Sequence, residues 1–482
     1  MSKQKFYRVV ILLVLLSICP LFAQTWCLPI RVSPYVTDRY IVLGQGLTAD
    51  LSGTSWCGWV ADTDNPPAFN IYINHYTDTI WSNPDTIFPF FAFWNCDLAT
   101  DANGNVWVVA EDDGISACFY DGSSWSNLMA VPSVSCCHYP VAIGDNLGNL
   151  WVCWAGGAPG DGHHIWGNAY IDGQWGSPVL ISYPSSAEEI TYSMTTDIQG
   201  NVWVGWYRFA CPDRGICVSF NDGSGWSDTM MVVGYPHSYF TLGPALTVDT
   251  SGMIWAGWLG CDSIENWKVY ASYFEDSVWS GPMLVSESAA WGDYSVAITS
   301  DDRGMVWLAW MNSDENICYS YWNGNEWSDP APIDNHPARD YNLKMAFDGE
   351  RIWVTWIRRV EISGQDTFSV YASYTYGVGV EEKPVANPPP SVSGLSQSYP
   401  NPFSSNTTIS YQLPSDCHVC VRIYNIAGEL VQTLRSKNQK PGHYTVCWNG
   451  KDENGKQLPS GVYFVRLKTP NNSITKKIIK LK

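Results

Sequence analysis

The sequence predicts an all-β protein, a seven-bladed β-propeller followed by a small immunoglobulin-like β-sandwich. Three observations predict it. The line Asp-x-x-Gly-x-x-Trp recurs along residues 26–376 at a period of about fifty residues. Each period breaks into four short apolar runs joined by Asx- and Gly-rich turns, the pattern of one four-stranded blade. Beyond a Pro-rich stretch the repeat ends, and about seven short alternating strands fill residues 399–482.

Composition agrees with two physically different pieces. The chain has 482 residues, 45% hydrophobic, with 26 Trp and 40 Gly, so it buries too much apolar surface to be disordered. Its net charge of −19 is unevenly spread: residues 24–380 hold 11 Lys+Arg against 40 Asp+Glu, and residues 381–482 hold 13 against 6. Nucleic acid is excluded as a partner of the acidic piece, because phosphate neutralisation needs clustered cations.

The first element is an export signal over residues 1–23. Lys3, Lys5 and Arg8 precede the apolar run Val9–Ile18, and Leu21-Phe22-Ala23 supplies a small-residue cleavage site before Gln24. The run is too short for about 30 Å of hydrocarbon, so no transmembrane span is expected after cleavage. Export opens an oxidising compartment to the 14 cysteines that remain once Cys19 leaves with the signal, but their spacing is irregular and leaves the pairing open.

The propeller is expected over residues 24–379. The repeat reads Asp50/Gly53/Trp56, Asp101/Gly104/Trp107, Asp145/Gly148/Trp151, Asp197/Gly200/Trp203, Asp249/Gly252/Trp255 and Asp301/Gly304/Trp307, then the shorter Asp348-Gly349/Trp353. Successive first Trp residues lie 51, 44, 52, 52, 52 and 46 positions apart. Each Asp is expected to lock its turn by accepting N–H groups two and three residues ahead. Trp-Ser or Trp-Gly opens a fourth strand at Trp81, Trp125, Trp175, Trp226, Trp279 and Trp327. The seventh copy lacks that strand, whereas Trp26–Ser33 stands at the start with no strands before it. The N-terminal segment is therefore expected to complete the last blade and remove an open edge.

Searched for chemistry, this piece shows no catalytic constellation. Glu111-Asp112-Asp113 and Glu188-Glu189 read as loop charge clusters, and His163-His164 is adjacent rather than metal-spaced. Asp62-x-Asp64-Asn65 lacks the oxygen ligands of a calcium loop. No GxSxG, P-loop, dinucleotide fingerprint or HExxH occurs. Cys417-x-x-Cys420 lies on a strand, where i and i+3 face opposite sides, so zinc is not expected. No cofactor and no metal are expected. In-register Trp residues read as packing between blades, which leaves Trp94, Trp166, Trp267 and Trp291, off the register, as candidate platforms for a sugar ring.

These repeats resemble the broad group of Trp-rich bacterial propellers, among them sialidase-like (BNR, Asp-box) repeats and two-component-regulator propellers. The sequence departs from the Asp-box proper, which places Asp and Gly two apart rather than three. A sialidase resemblance implies three Arg gripping a carboxylate, a Tyr–Glu nucleophile and an Asp acid. Arg31, Arg39, Arg208, Arg214, Arg303, Arg339, Arg351, Arg358 and Arg359 show no recurring position for such a triad.

A Pro-rich linker over residues 380–398 leads to Tyr399-Pro400-Asn401-Pro402-Phe403, which opens the last domain. Tyr424-Asn425, Trp448-Asn449-Gly450-Lys451-Asp452, Ser460-Gly461-Val462-Tyr463-Phe464 and a Lys-rich end follow in order. Residues 399–482 resemble the type A sorting domain of the type IX secretion system, which is similar to the FlgD-like Ig domain. The resemblance implies the type IX machinery as a partner and passage through the periplasm of a diderm bacterium to its surface or exterior. The functional expectation is an exported binding scaffold for a glycan or protein. Its alternatives are a sialidase-like or other glycan-degrading enzyme, and a structural surface or matrix component.

Overall fold

The computed structural model describes residues 26–33, 41–62, 69–77, 80–89, 95–157, 162–182, 188–209, 214–234, 241–261, 266–289, 296–334, 336, 339–362, 365–376, 394–395, 401, 403, 407–413, 416–440, 442–453, 455–470 and 473–481. The signal segment, Trp94, Trp291 and most of the Pro-rich linker lie outside the described residues. The chain divides into two compact units, Met1–Gly379 and Val380–Lys482. No helix occurs among the described residues of either.

In the first unit the described strands form seven antiparallel sheets of four or five strands. The second sheet is representative: Cys96–Thr100, Val106–Glu111, Ile115–Tyr120 and Met129–Val131 pair in chain order. Central strands such as Val106–Glu111, Val202–Arg208, Ile254–Cys261 and Val306–Met311 are buried at every position. That is why they read as continuous apolar runs instead of alternating: both faces of each sheet pack on a neighbouring sheet. Each core cluster accordingly draws on two adjacent sheets, as Val60 and Ile71 of the first do with Leu98 and Val108 of the second. First strands of consecutive sheets touch, and the first strand of the seventh, Arg339–Phe347, touches that of the first, Ile41–Ala49, giving a closed, propeller-like arrangement.

The Asp turns have a sharper logic than the sequence reading. Asp101 Oδ1 accepts the N–H groups of Asn103 (2.9 Å) and Asn105 (3.0 Å), two and four residues ahead. Only the shortened Asp348 copy keeps the two-and-three spacing, through Glu350 and Arg351. The other carboxylate oxygen accepts the indole N–H of the motif's own Trp. This bond is 2.8 Å for Asp50–Trp56 and Asp101–Trp107, and 2.9 Å for Asp145–Trp151, Asp197–Trp203 and Asp249–Trp255. It is 3.2 Å for Asp301–Trp307 and 2.7 Å for Asp348–Trp353. Fixed spacing from Asp to Trp follows, since one carboxylate must reach both a turn and a ring. The intervening glycines sit at φ between 79° and 92°, where a Cβ is strained, which fixes Gly at that place.

The Trp-Ser landmark has a cause of the same kind. Ser126, Ser227, Ser280 and Ser328 each accept, on Oγ, a backbone N–H of the third strand at 3.0–3.1 Å. The hydroxyl thereby pins the start of the outermost strand. In the seventh sheet that outermost place is taken by Ile30–Arg31, with Ile30 opposite Ala372 and Arg31 opposite Tyr371. Cys27 N donates to Tyr374 O and Val32 N to Val370 O, each at 2.8 Å, and the Trp26 ring meets Tyr319 edge-on at 5.3 Å.

The second unit is a two-sheet sandwich. Gly394–Leu395, Thr407–Leu413 and Gly442–Trp448 form one sheet; Leu430–Gln439, Cys417–Tyr424, Gly461–Lys468 and Ser473–Lys480 form the other in that spatial order. Val419, Val421, Ile423, Val465 and Leu467 point inward around Trp448, whose ring contacts Phe403 (5.2 Å) and Tyr463 (5.1 Å). Asn401 accepts Ile479 N at 2.7 Å and donates to Lys477 O at 2.8 Å, tying the domain's opening to its last strand. Twelve cysteines, from Cys27 to Cys420, are free thiols.

Candidate functional site

Two ends of the ring of sheets differ in chemistry. One carries the Asp turns, which are packing devices. The other carries the starts of first and third strands and the ends of second strands. There three sheets bring together residues that are remote in sequence.

Glu111 ends the second strand of the second sheet, and its side chain is 6% exposed. Its Oε1 lies 2.8 Å from Nδ1 of His138, at the start of the third sheet, while Oε2 accepts Tyr139 N (3.1 Å) and Asn95 Nδ2 (3.2 Å). A carboxylate only accepts, so Nδ1 donates and the neutral ring carries its lone pair on Nε2. The His138 side chain is 42% exposed, so part of the ring is open to solvent. Its ring packs edge-on to His163 at 5.2 Å. His163 Nδ1 stands 3.9 Å from Glu188 Oε2, and Glu189 N donates to His163 O.

Deeper in, Glu189 is fully buried. Its Oε1 accepts Arg208 Nε at 2.6 Å and Trp206 Nε1 at 3.1 Å. Its Oε2 has no hydrogen-bond partner and lies 3.8 Å from the equally unpartnered Nδ1 of His164. A buried carboxylate oxygen and a buried imidazole nitrogen just beyond bonding distance form a gap in an otherwise satisfied network.

Neighbours of these groups, though not the groups themselves, line a cavity of about 1030 Å³ walled by the first strands of all seven sheets. Asn95, Tyr139, Ile190 and Tyr207 belong to its wall and are hydrogen-bond partners or chain neighbours of Glu111, His138, Glu189 and Arg208. The Tyr207 and Phe209 rings meet edge-on at 4.2 Å beside it. Further along the wall apolar side chains alternate with polar ones such as Gln45, Thr48 and Asn342, and Lys344 pairs with Asp97 at 3.4 Å.

A second polar group lies at the same end. Arg358 pairs with Asp340 at 2.7 Å and with Asp334, and stacks on Tyr371. Burial pushes the Asp340 carboxyl up to about 6, against the pull of Arg358. Arg208 and Arg358 occupy one register position: each lies two residues after the second Trp of its repeat and directly opposite an acid of the first strand, Glu189 or Asp340. Two of the arginines therefore share a register position, which is a separate matter from the three-arginine set that the sialidase resemblance implies. The signal was present as Trp-x-Arg in two copies.

The candidates named from sequence fare unequally. Trp267 is buried, lines the cavity, and belongs to a core cluster. Trp166 is half-buried, donates to Gly156 O at 3.1 Å and packs against a core cluster shared by two sheets. Asp50, Asp101, Asp145, Asp197, Asp249, Asp301 and Asp348 are all turn locks. Glu111, Glu188-Glu189 and His163-His164, dismissed singly as loop clusters, are the residues that converge. Among the described residues no group of three His, Cys, Asp or Glu is arranged to hold a metal ion.

Comparison with known proteins agrees with this all-β architecture. Residues 401–473 match the FlgD Ig-like domain. No curated protein matches the chain. Among solved structures, a fungal alcohol oxidase in complex with copper is similar over 95% of this chain and 100% of its own, at 11% identity and TM-score 0.50. PorZ, a surface component of the type IX secretion system of Porphyromonas gingivalis, is similar over 90% of this chain and 59% of its own, at 16% identity and TM-score 0.42. An ulvan lyase bound to a glucuronate–sulfated rhamnose unit is similar over 70% and 96%, at 12% identity and TM-score 0.48. At 11% identity the likeness to the oxidase is one of fold alone, and it accords with the all-β, propeller-like arrangement of sheets and the Ig-like domain at the C-terminus.

Proposed function

We propose that the chain is an exported seven-bladed β-propeller that binds a glycan at the mouth of its central cavity, with its C-terminal sandwich serving as a handle for type IX secretion. The observation that carries the binding reading is the convergence of Glu111, His138, His163, Glu188, Glu189 and Arg208 beside that cavity. A hydroxyl-rich ligand needs several fixed donors and acceptors at once together with an aromatic wall. Tyr139, 46% exposed, and the partly exposed Phe209 supply the wall, with the buried Tyr207 ring backing Phe209.

The Glu111–His138 hydrogen bond favours a second reading, glycan cleavage. An imidazole oriented through Nδ1 by a buried carboxylate is equipped to take or give a proton at Nε2. Arg208, held by Glu189, places positive charge nearby, where a developing anion gains stabilisation.

One experiment separates the two. The mature chain from Gln24 is presented with a panel of neutral and acidic polysaccharides, and both binding and newly formed chain ends are measured. Binding without turnover supports the scaffold. Turnover that falls about 100-fold or more in His138→Ala and Glu111→Gln supports the enzyme. If neither is seen with any polymer, a structural surface role replaces both.

A further inference from the structure

The outer face of the sandwich's four-stranded sheet has a feature that packing does not account for. Arg422 and Arg466 stand directly opposite each other on adjacent strands. Residues paired in this way project to the same side, and like charges so placed destabilise a sheet. Neither is neutralised. The acids of this region, Asp416, Glu429, Asp452 and Glu453, all lie in turns outside the strands of that sheet. Lys468, opposite Cys420, and Lys477, opposite Phe464, stand on the same face.

The Arg466 guanidinium is also held in place. Arg466 stacks over the Tyr424 ring at 4.7 Å and donates from Nε to Thr475 Oγ1 at 3.2 Å. Arg422 Nε is buried without a hydrogen-bond partner. Tyr424 and Phe464 form a cross-strand aromatic pair immediately beside the arginines.

We propose that this face binds a phosphorylated or sulfated saccharide, the oxyanion lying between Arg422 and Arg466 and the sugar ring against Tyr424 and Phe464. A carboxylate offers two oxygens, which a single guanidinium fork already occupies. A tetrahedral phosphate or sulfate ester offers three and satisfies both forks. Bridging by such an anion turns the unfavourable Arg–Arg opposition into a site. The proposal is independent of the reading of the cavity, because it rests on the second unit alone.

The test is binding of the full mature chain to immobilised phosphomannan and to the same polymer after phosphatase treatment, at physiological salt. Arg422→Gln and Arg466→Gln are each expected to weaken binding about tenfold or more. The double variant should lose little beyond either single one, since both arginines hold one anion. Thermal unfolding should show the glutamine variants as stable as the parent, because they relieve repulsion. Arg422→Lys/Arg466→Lys keeps the charge and removes the forks, and it too should lose binding. Equal binding to the dephosphorylated polymer overturns the proposal. So do unaltered binding by the glutamine variants, full binding by the lysine variant, or arginine-dependent capture of polyglutamate in place of phosphomannan.

Discussion

At the scale of the residue, the Asp–Trp pair is the unit from which the first domain is built. One carboxylate closes a turn and satisfies the N–H of an indole that is otherwise buried between sheets. Burying such a ring removes roughly 150–250 Å² from water, worth about 4–6 kcal/mol gross. Asp197→Ala leaves the buried Trp203 N–H and two turn amides unpaired, and should cost about 1–3 kcal/mol in urea unfolding. Asp50 adds a pH dependence. Burial raises its carboxyl, but hydrogen bonds from Ser52, Trp56 and Thr54 outweigh that and hold it below the usual carboxylate range. A depressed folded-state value means that its stabilisation is complete above the unfolded carboxylate range and is lost as pH falls through the folded value. Carboxyl NMR titration should show Asp50 moving upward in Ser52→Ala; no movement would remove the hydroxyl as a cause. The thiols divide in the same way. Burial pushes Cys96 and Cys118 up to about 12, whereas Cys136 is exposed. Under native conditions a thiol reagent should label Cys136 and spare Cys96 and Cys118 until the protein is unfolded.

At the scale of the element, the informative strand is the one that the seventh repeat lacks. Trp26–Ser33 matched the fourth strand of other copies, and Ile30–Arg31 occupies that outer place against Gln365–Tyr376. A mature chain lacking residues 24–33 loses the burial of Val32 and the Trp26–Tyr319 contact, and exposes the edge of Gln365–Tyr376. Its unfolding free energy should drop by roughly 3–6 kcal/mol, with increased self-association by light scattering. An unchanged midpoint would mean that the ring does not depend on its N-terminal strand. Strands were legible because turn chemistry and apolar runs are local properties. The polar site was not. Glu111, His138 and Glu189 come from three different sheets, and each sits beside a turn where an isolated charge ordinarily means solvation.

At the scale of the whole molecule, an acidic unit and a basic one share a chain, and the proposed division of labour is testable by separation. A chain truncated after Ser398 should fold in its first unit and remain in the periplasm, as judged by fractionation. Export of the truncated chain at the normal level would sink the sorting role of residues 399–482. The sequence by itself determined the strands and their grouping into repeats, because hydrogen-bonded turns and apolar periodicity are written within a few residues. Only the tertiary structure decided which charged residues meet, since Arg208 finds Glu189 through strand register and Glu111 finds His138 through sheet packing. Burial then completes the work: removed from water, a few convergent carboxylates, imidazoles and guanidiniums become a site.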